Sequence, residues 1–151
     1  MRAVRFHRHG DPDVLVCETV DDPVPAADEV LVRVVAAGVN FADTLIRRGA
    51  APVAFPLPFS PGFEIAGAIE TVGAQVDSSR VGQRVVGNVS GGGYAELVVM
   101  HATSALPIPD DISDQVAAAV LGQGSAAIGI TGAAAIRPGE TVLVYAAAGG
   151  V

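Results

Sequence analysis

The stretch Glu29–Ala37, EVLVRVVAA, places Val30, Val32 and Val34 on one face of an extended chain and Leu31 and Arg33 on the other. Side chains alternate across a strand with a period of two, so at least one face of this segment is buried. Working outward, residues 2–6, 14–20, 64–72, 84–89 and 94–100 have the same β-type character and are separated by Gly and Pro. Six such strands joined by long loops predict a closed or nearly closed barrel. Between them, Pro52, Pro56, Pro58 and Pro61 exclude both an α-helix and a central strand, so residues 52–61 are expected to be an ordered loop or an edge.

Half of the 151 residues are apolar, enough for one sizeable core. The nine basic residues are all Arg and face 16 acidic ones, for a formal charge of −7. That balance leaves no net basic face and argues against sequence-independent nucleic-acid binding. Cys17 is the only cysteine, which excludes a disulfide framework and a cysteine-based zinc cluster and predicts a reduced, cytoplasmic setting. The opening MRAVRFHRHG lacks the continuous apolar core of a secretory signal.

After residue 109 the character changes. Ser113 is a plausible N-cap, Asp114 suits a first helical turn, and residues 115–136 are rich in Ala. Residues 116–136 carry no formal charge and are long enough to cross a bilayer. Their Ala and Gly content, with Gln123, Ser125 and Thr131 inside, favours a buried helix pair broken near Gly122 and Gly124 over a membrane span. Residues 140–150, ETVLVYAAAGG, then read as a buried parallel strand entering a glycine turn. Such a strand needs neighbours reached through long crossovers, so the sequence is expected to be the first part of a longer protein, cut at Val151 within its second domain.

The terminal AAAGGV matches the first half of a dinucleotide-binding fingerprint, with Ala147 at the first position and Gly149, followed by Gly150, at the middle one. A plain tight turn explains the same glycines equally well. The acidic residue that would read the adenosine ribose does not occur in these residues, so NADPH and NADH stay open.

In order along the chain come GVNFADTLIRRG (38–49), PGFEIAGAIETVG (61–73), VGQRVVG (81–87), GGYAELVV (92–99), QGSAA (123–127) and RPGETVLVYAAAGGV (137–151). Together they resemble the zinc-independent quinone oxidoreductase branch, zeta-crystallin-like, of the medium-chain dehydrogenase/reductase superfamily. The resemblance implies a mainly β GroES-like barrel with peripheral helices over residues 1–112. It implies the start of an α/β Rossmann domain over residues 113–151, with NADPH as cofactor. Zinc alcohol dehydrogenases of the superfamily have a cysteine near the Asn40 position and a histidine near Phe63. An amide and a phenyl ring are not zinc ligands, so no metal is expected. His7, His9 and His101 are too scattered to rebuild a site and read as surface or barrel-edge residues.

Without a Lewis acid, the workable reaction is hydride delivery to an electrophilic small molecule such as a quinone or an α,β-unsaturated carbonyl. By resemblance Asn40 bonds near the nicotinamide or acceptor, with Asp43 beside it as the other catalytic candidate. Ser125 stands where a threonine commonly contacts the nicotinamide amide, and Gln123 is a further cofactor-binding candidate. Local capping explains the same residues: Asn40 capping a helix at 41–48, Asp43 in its first turn, and Ser125 capping a helix after Gly124. Leu45 replaces an aromatic that many relatives place beside the nicotinamide, and Phe41, Phe55 and Phe59 read as core. Glu64 reads as a solvated strand end, with a buried polar contact as the alternative. Two other functions are weighed: an enoyl reductase acting on enoyl thioesters, which 40–49 also resembles, and a non-catalytic barrel acting as a binding module or inactive fragment. Members of the family are often homodimers, and residues 1–151 alone are expected to be inactive.

Overall fold

The computed structural model describes residues 1–147 and 149. Strands β1 (Arg2–Arg5) and β2 (Val16–Thr19) form an antiparallel hairpin. A five-stranded antiparallel sheet runs in the order β6-β3-β4-β5-β7, from β3 (Glu29–Ala37), β4 (Glu64–Val72), β5 (Arg84–Asn88), β6 (Leu97–His101) and β7 (Leu106–Pro107). Helix α1 (Phe41–Arg48) leaves the end of β3, and α2 (Asp114–Ala134) closes the described fold.

The alternation of β3 holds for Val30 and Val32, both fully buried, while Arg33 is exposed. Leu31 on the other face is buried as well, so the strand is covered on both sides at its start. A register shift falls between Val34 and Ala36 opposite β4, and Val35 is exposed there. Such a bulge re-aims the strand that follows, which is the segment leading into Gly38 and Asn40. The main core gathers Val30, Val32, Ile65, Ile69, Val85 and Met100.

The expected closed or nearly closed barrel takes the form of two sheets. Isolated bridges Ala3↔Ala95 and Phe6↔Phe59 join the hairpin to the rest. Strand β7 escapes a pattern reading because two residues show no period, and Val14, the expected first residue of a strand, instead ends a 3-10 turn at Pro12–Val14. The proline-rich loop contains no helix, as its composition requires.

Two expectations for the C-terminal part fail. Helix α2 is one continuous helix through Gly122 and Gly124, started by Ser113 Oγ accepting Val116 N–H at 3.2 Å and ended at Ala135 in the left-handed region. Each interior glycine costs about 1 kcal/mol relative to Ala, which a helix docked on a sheet absorbs. It is not a buried helix either: Ala118 is its only buried residue, and Ile128 and Ile130 are exposed. By length and composition alone α2 is long and apolar enough to cross a membrane. The strand expected over 140–150 is not formed among the described residues. Val142, Leu143, Val144 and Tyr145 are exposed there, because a parallel strand exists only where neighbours accept its hydrogen bonds.

Phe6 is fully buried, bonds through its backbone to Phe59, and packs with Val14 and Ile46. Phe6→Ala is expected to cost about 3–5 kcal/mol, read by chemical denaturation of the chain.

Candidate functional site

Asn40 sits at the N-cap of α1 in extended conformation, and Asp43 answers it three residues later: Asp43 Oδ2 accepts the Asn40 backbone N–H at 2.8 Å. The helix ends at Gly49 in the left-handed region, with Ala50 N–H donating to Leu45 O at 2.8 Å. Asp43 is buried, and its carboxylate also accepts Gly62 N–H at 3.2 Å and the Tyr94 hydroxyl at 3.0 Å. Asp43 therefore ties α1 to the loop before β4 and to the segment before β6.

The Asn40 side chain also reaches beyond its own helix. Its Nδ2 donates to Glu64 Oε2 at 3.0 Å, and its Oδ1 accepts from Gln123 Nε2 of α2 at 2.9 Å. Glu64 opens β4 and is 7% exposed, so it is a buried polar partner and not a solvated strand end. Space for its carboxylate exists because residues 38 and 122 are glycines. A Cβ on Gly38 would stand 2.5 Å from Oε2, and one on Gly122 would stand 1.8 Å from Oε1. A cleft of about 320 Å³ lies beside these groups, between the end of β3 at Ala36–Val39 and Gln115, Ala118 and Gln123 of α2, with Glu64 at its floor. Gln123 Oε1 is buried there without a hydrogen-bond partner.

Burial, the charge of Asp43, the hydrogen bond to it and the charge of Glu64 all push the Tyr94 phenol well above the ordinary tyrosine range. Tyr94 therefore stays protonated and acts as a donor.

The structure thus brings Asn40, Asp43 and Gln123 together and adds Glu64 and Tyr94. Ser125 is exposed inside α2 and starts no helix. Ala147 and Gly149 are exposed, and Gly149 N–H closes a turn on Ala146 O at 2.7 Å; Gly150 lies outside the described residues. Phe41 is exposed at 74%, against its expected core role, because it occupies the outer side of the first turn of α1. Phe55, Phe59 and Phe63 do pack as an aromatic group, with ring centroids 4.8–6.2 Å apart. His7, His9 and His101 lie at the surface, and among the described residues no three His, Cys, Asp or Glu side chains converge.

The alcohol dehydrogenase GroES-like domain family matches residues 26–110, more than half of the chain. The chain belongs to this family. The chain is similar to quinone oxidoreductases: it is 39% identical over 155 residues to the mouse protein, covering all of this chain and 46% of the mouse protein. Among solved structures, the quinone oxidoreductase of Thermus thermophilus, described with its NADPH complex, is 37% identical with a TM-score of 0.85. The match covers 99% of this chain and 46% of that one. The human synaptic vesicle membrane protein VAT-1 homolog-like protein reaches a TM-score of 0.92 at 34% identity, covering 99% of this chain and 49% of that one. The chain spans about half the length of the curated relatives it matches. The GroES-like fold thus places α1, β4 and α2 around one buried carboxylate.

Two measurements test this geometry. Gly122→Ala gains about 1 kcal/mol of helix propensity but drives a methyl into Glu64 at a cost of about 1–3 kcal/mol or more, so it destabilises. Gly129→Ala, with nothing within 4 Å, is expected to stabilise by up to about 1 kcal/mol, and thermal unfolding of the pair reads the contrast. For Tyr94, the folded-state shift is upward, so its contribution is present below about pH 10 and is lost as pH rises further. The stability gap between wild type and Tyr94→Phe should narrow above about pH 10 in denaturant titrations.

Proposed function

We propose that the protein carrying this chain is an NAD(P)H-dependent, zinc-independent oxidoreductase that delivers hydride to a quinone or another activated carbonyl or alkene. The observation that carries the reading is a cleft lined by Glu64 and Gln123, both hydrogen-bonded to Asn40, in a chain similar to quinone oxidoreductases. The unpaired Gln123 Oε1 fits a nicotinamide-bearing site, because it supplies a buried acceptor for an N–H or O–H donor. NADPH is preferred over NADH because similar structures carry it.

When bound, the reduced nicotinamide supplies the hydride. The chain's own residues orient and stabilise. Asn40 and Gln123 provide amide groups beside the reacting centre, where fixed dipoles act on developing enolate or quinol charge. Asp43 and Tyr94 hold the turn that carries Asn40, and Ser125, on α2 with Gln123, would contact the cofactor. Ala147, Gly149 and Gly150 take the pyrophosphate, and solvent returns the proton. The zinc-independent part rests on donor chemistry: Asn40 and Phe63 offer neither thiolate nor imidazole. A small electrophilic substrate and a cytoplasmic setting complete the reading, with α2 as a packing element and not a membrane span.

The test is NADPH oxidation by protein expressed from its entire reading frame, with quinone and enoyl-thioester acceptors in parallel. Quinone-dependent oxidation is expected, and Asn40→Ala should lower kcat/KM about 100-fold. Activity with enoyl thioesters alone moves the assignment to an enoyl reductase, and absence of NADPH binding leaves a binding module. Residues 1–151 by themselves are expected to give no saturable NADPH fluorescence change.

A further inference from the structure

We propose that Glu64 is a positioning residue whose carboxylate fixes which way round the Asn40 and Gln123 side-chain amides stand. A carboxylate only accepts hydrogen bonds, so the amide facing it must present its NH2 group. Asn40 does so at 3.0 Å, which leaves Oδ1 turned toward α2. Gln123 must then present its own NH2, as it does at 2.9 Å. Reversing either amide would set two acceptor oxygens against each other at hydrogen-bond distance, with both groups sheltered from water. The end of the relay is therefore an acceptor, Gln123 Oε1, which is buried and unpaired. Whatever occupies the adjoining cleft brings an N–H or O–H to it.

The carboxylate has no room to leave this post. Its two oxygens lie against the backbone at Gly38 and Gly122, at positions where any side chain would collide. The glycines confine Glu64, Glu64 orients Asn40, and Asn40 orients Gln123 across the junction between the sheet and α2. This orientation stands independently of the oxidoreductase reading; its consequence for catalysis rests on that reading.

The test is the set of side-chain amide resonances of Asn40 and Gln123 in the 15N-labelled chain, assigned by their loss in Asn40→Ala and Gln123→Ala. Glu64→Gln keeps the volume and gives residue 64 a donor as well as an acceptor. It is expected to move both the Asn40 and the Gln123 amide signals toward the positions of exposed amides while the melting temperature changes little. Gln123→Ala is expected to leave the Asn40 signals in place, since Asn40 is oriented from the Glu64 side. Asn40 signals unmoved by Glu64→Gln, or moved as far by Gln123→Ala, overturn the proposal; should Glu64→Gln not fold, the Gln123→Ala result alone decides. In the NADPH-oxidising protein, Glu64→Gln should lower kcat on the order of 10- to 100-fold with KM for NADPH unchanged. An unchanged kcat together with the expected resonance shifts counts against the oxidoreductase role of Asn40, not against the relay.

Discussion

The buried carboxylate of Glu64 is the constraint to which the surrounding elements conform. Removing a charge from water costs several kcal/mol unless hydrogen bonds replace hydration, and here one side-chain donor, Asn40 Nδ2, is supplied by the described chain. The sheet core at Val30, Val32, Ile65, Ile69 and Val85 carries that cost, because β4 is held on both sides by β3 and β5. Residue 64 is thus presented by a strand paired on both sides. Its neighbours have adapted to it: glycine at 38 and 122, an amide at 40, and a helix face of small residues above.

Helix α2 is anchored unevenly along its length, and the anchors explain where it is buried. At its start, Arg84 Nη2 donates to Ile112 O at 2.6 Å and pairs with Asp114, while Ser113 caps the first turn. Ala118 then packs with Ala66, Val86 and Ile108, joined by Ala117 and Leu121. Gln123 provides the last side-chain hydrogen bond from α2 to the rest of the fold, at Asn40. Beyond it Ile128 and Ile130 are exposed, and no described residue covers them. The helix thus changes from a docked element to an uncovered one within three turns, and the change falls at the site.

Much of this was legible in the sequence. Alternation in EVLVRVV, the prolines of 52–61 and the Asn40 and Asp43 signals reported strands, loop and helix because each rests on local backbone physics. The family order of motifs pointed to Asn40, Asp43 and Gln123. Glu64 was harder to read: a lone glutamate at a strand start is ordinarily solvated, and only the meeting of Gly38 with Gly122, far apart in sequence, encloses it. Tyr94 gave no signal, since its role depends on Asp43, 51 residues away. The unbroken α2 and the lack of a strand among the described residues of 140–150 share one reason. Whether a glycine-containing or apolar segment is helix, break or strand is decided by the neighbours it docks on, and local pattern does not contain them.

By the resemblance read from the sequence, residues 40 and 63 stand where zinc alcohol dehydrogenases carry ligands, and in this chain each is held in a network of its own. Asn40 is engaged at both ends of its amide, as donor to Glu64 and acceptor from Gln123. Phe63 has joined the aromatic group of Phe55 and Phe59, with centroids 6.0 and 6.2 Å away. Each position has been absorbed into a different network, one polar and one apolar. Installing an imidazole at 63 would remove the Phe63 ring from its aromatic neighbours while the amide stayed committed to the carboxylate. Installing a thiolate at 40 would free Glu64 of its donor and leave a second buried anion beside it. A hydrogen-bond relay and a coordination sphere place incompatible demands on the same buried carboxylate, and in this chain the glycines, the amides and the helix face all meet the demands of the relay.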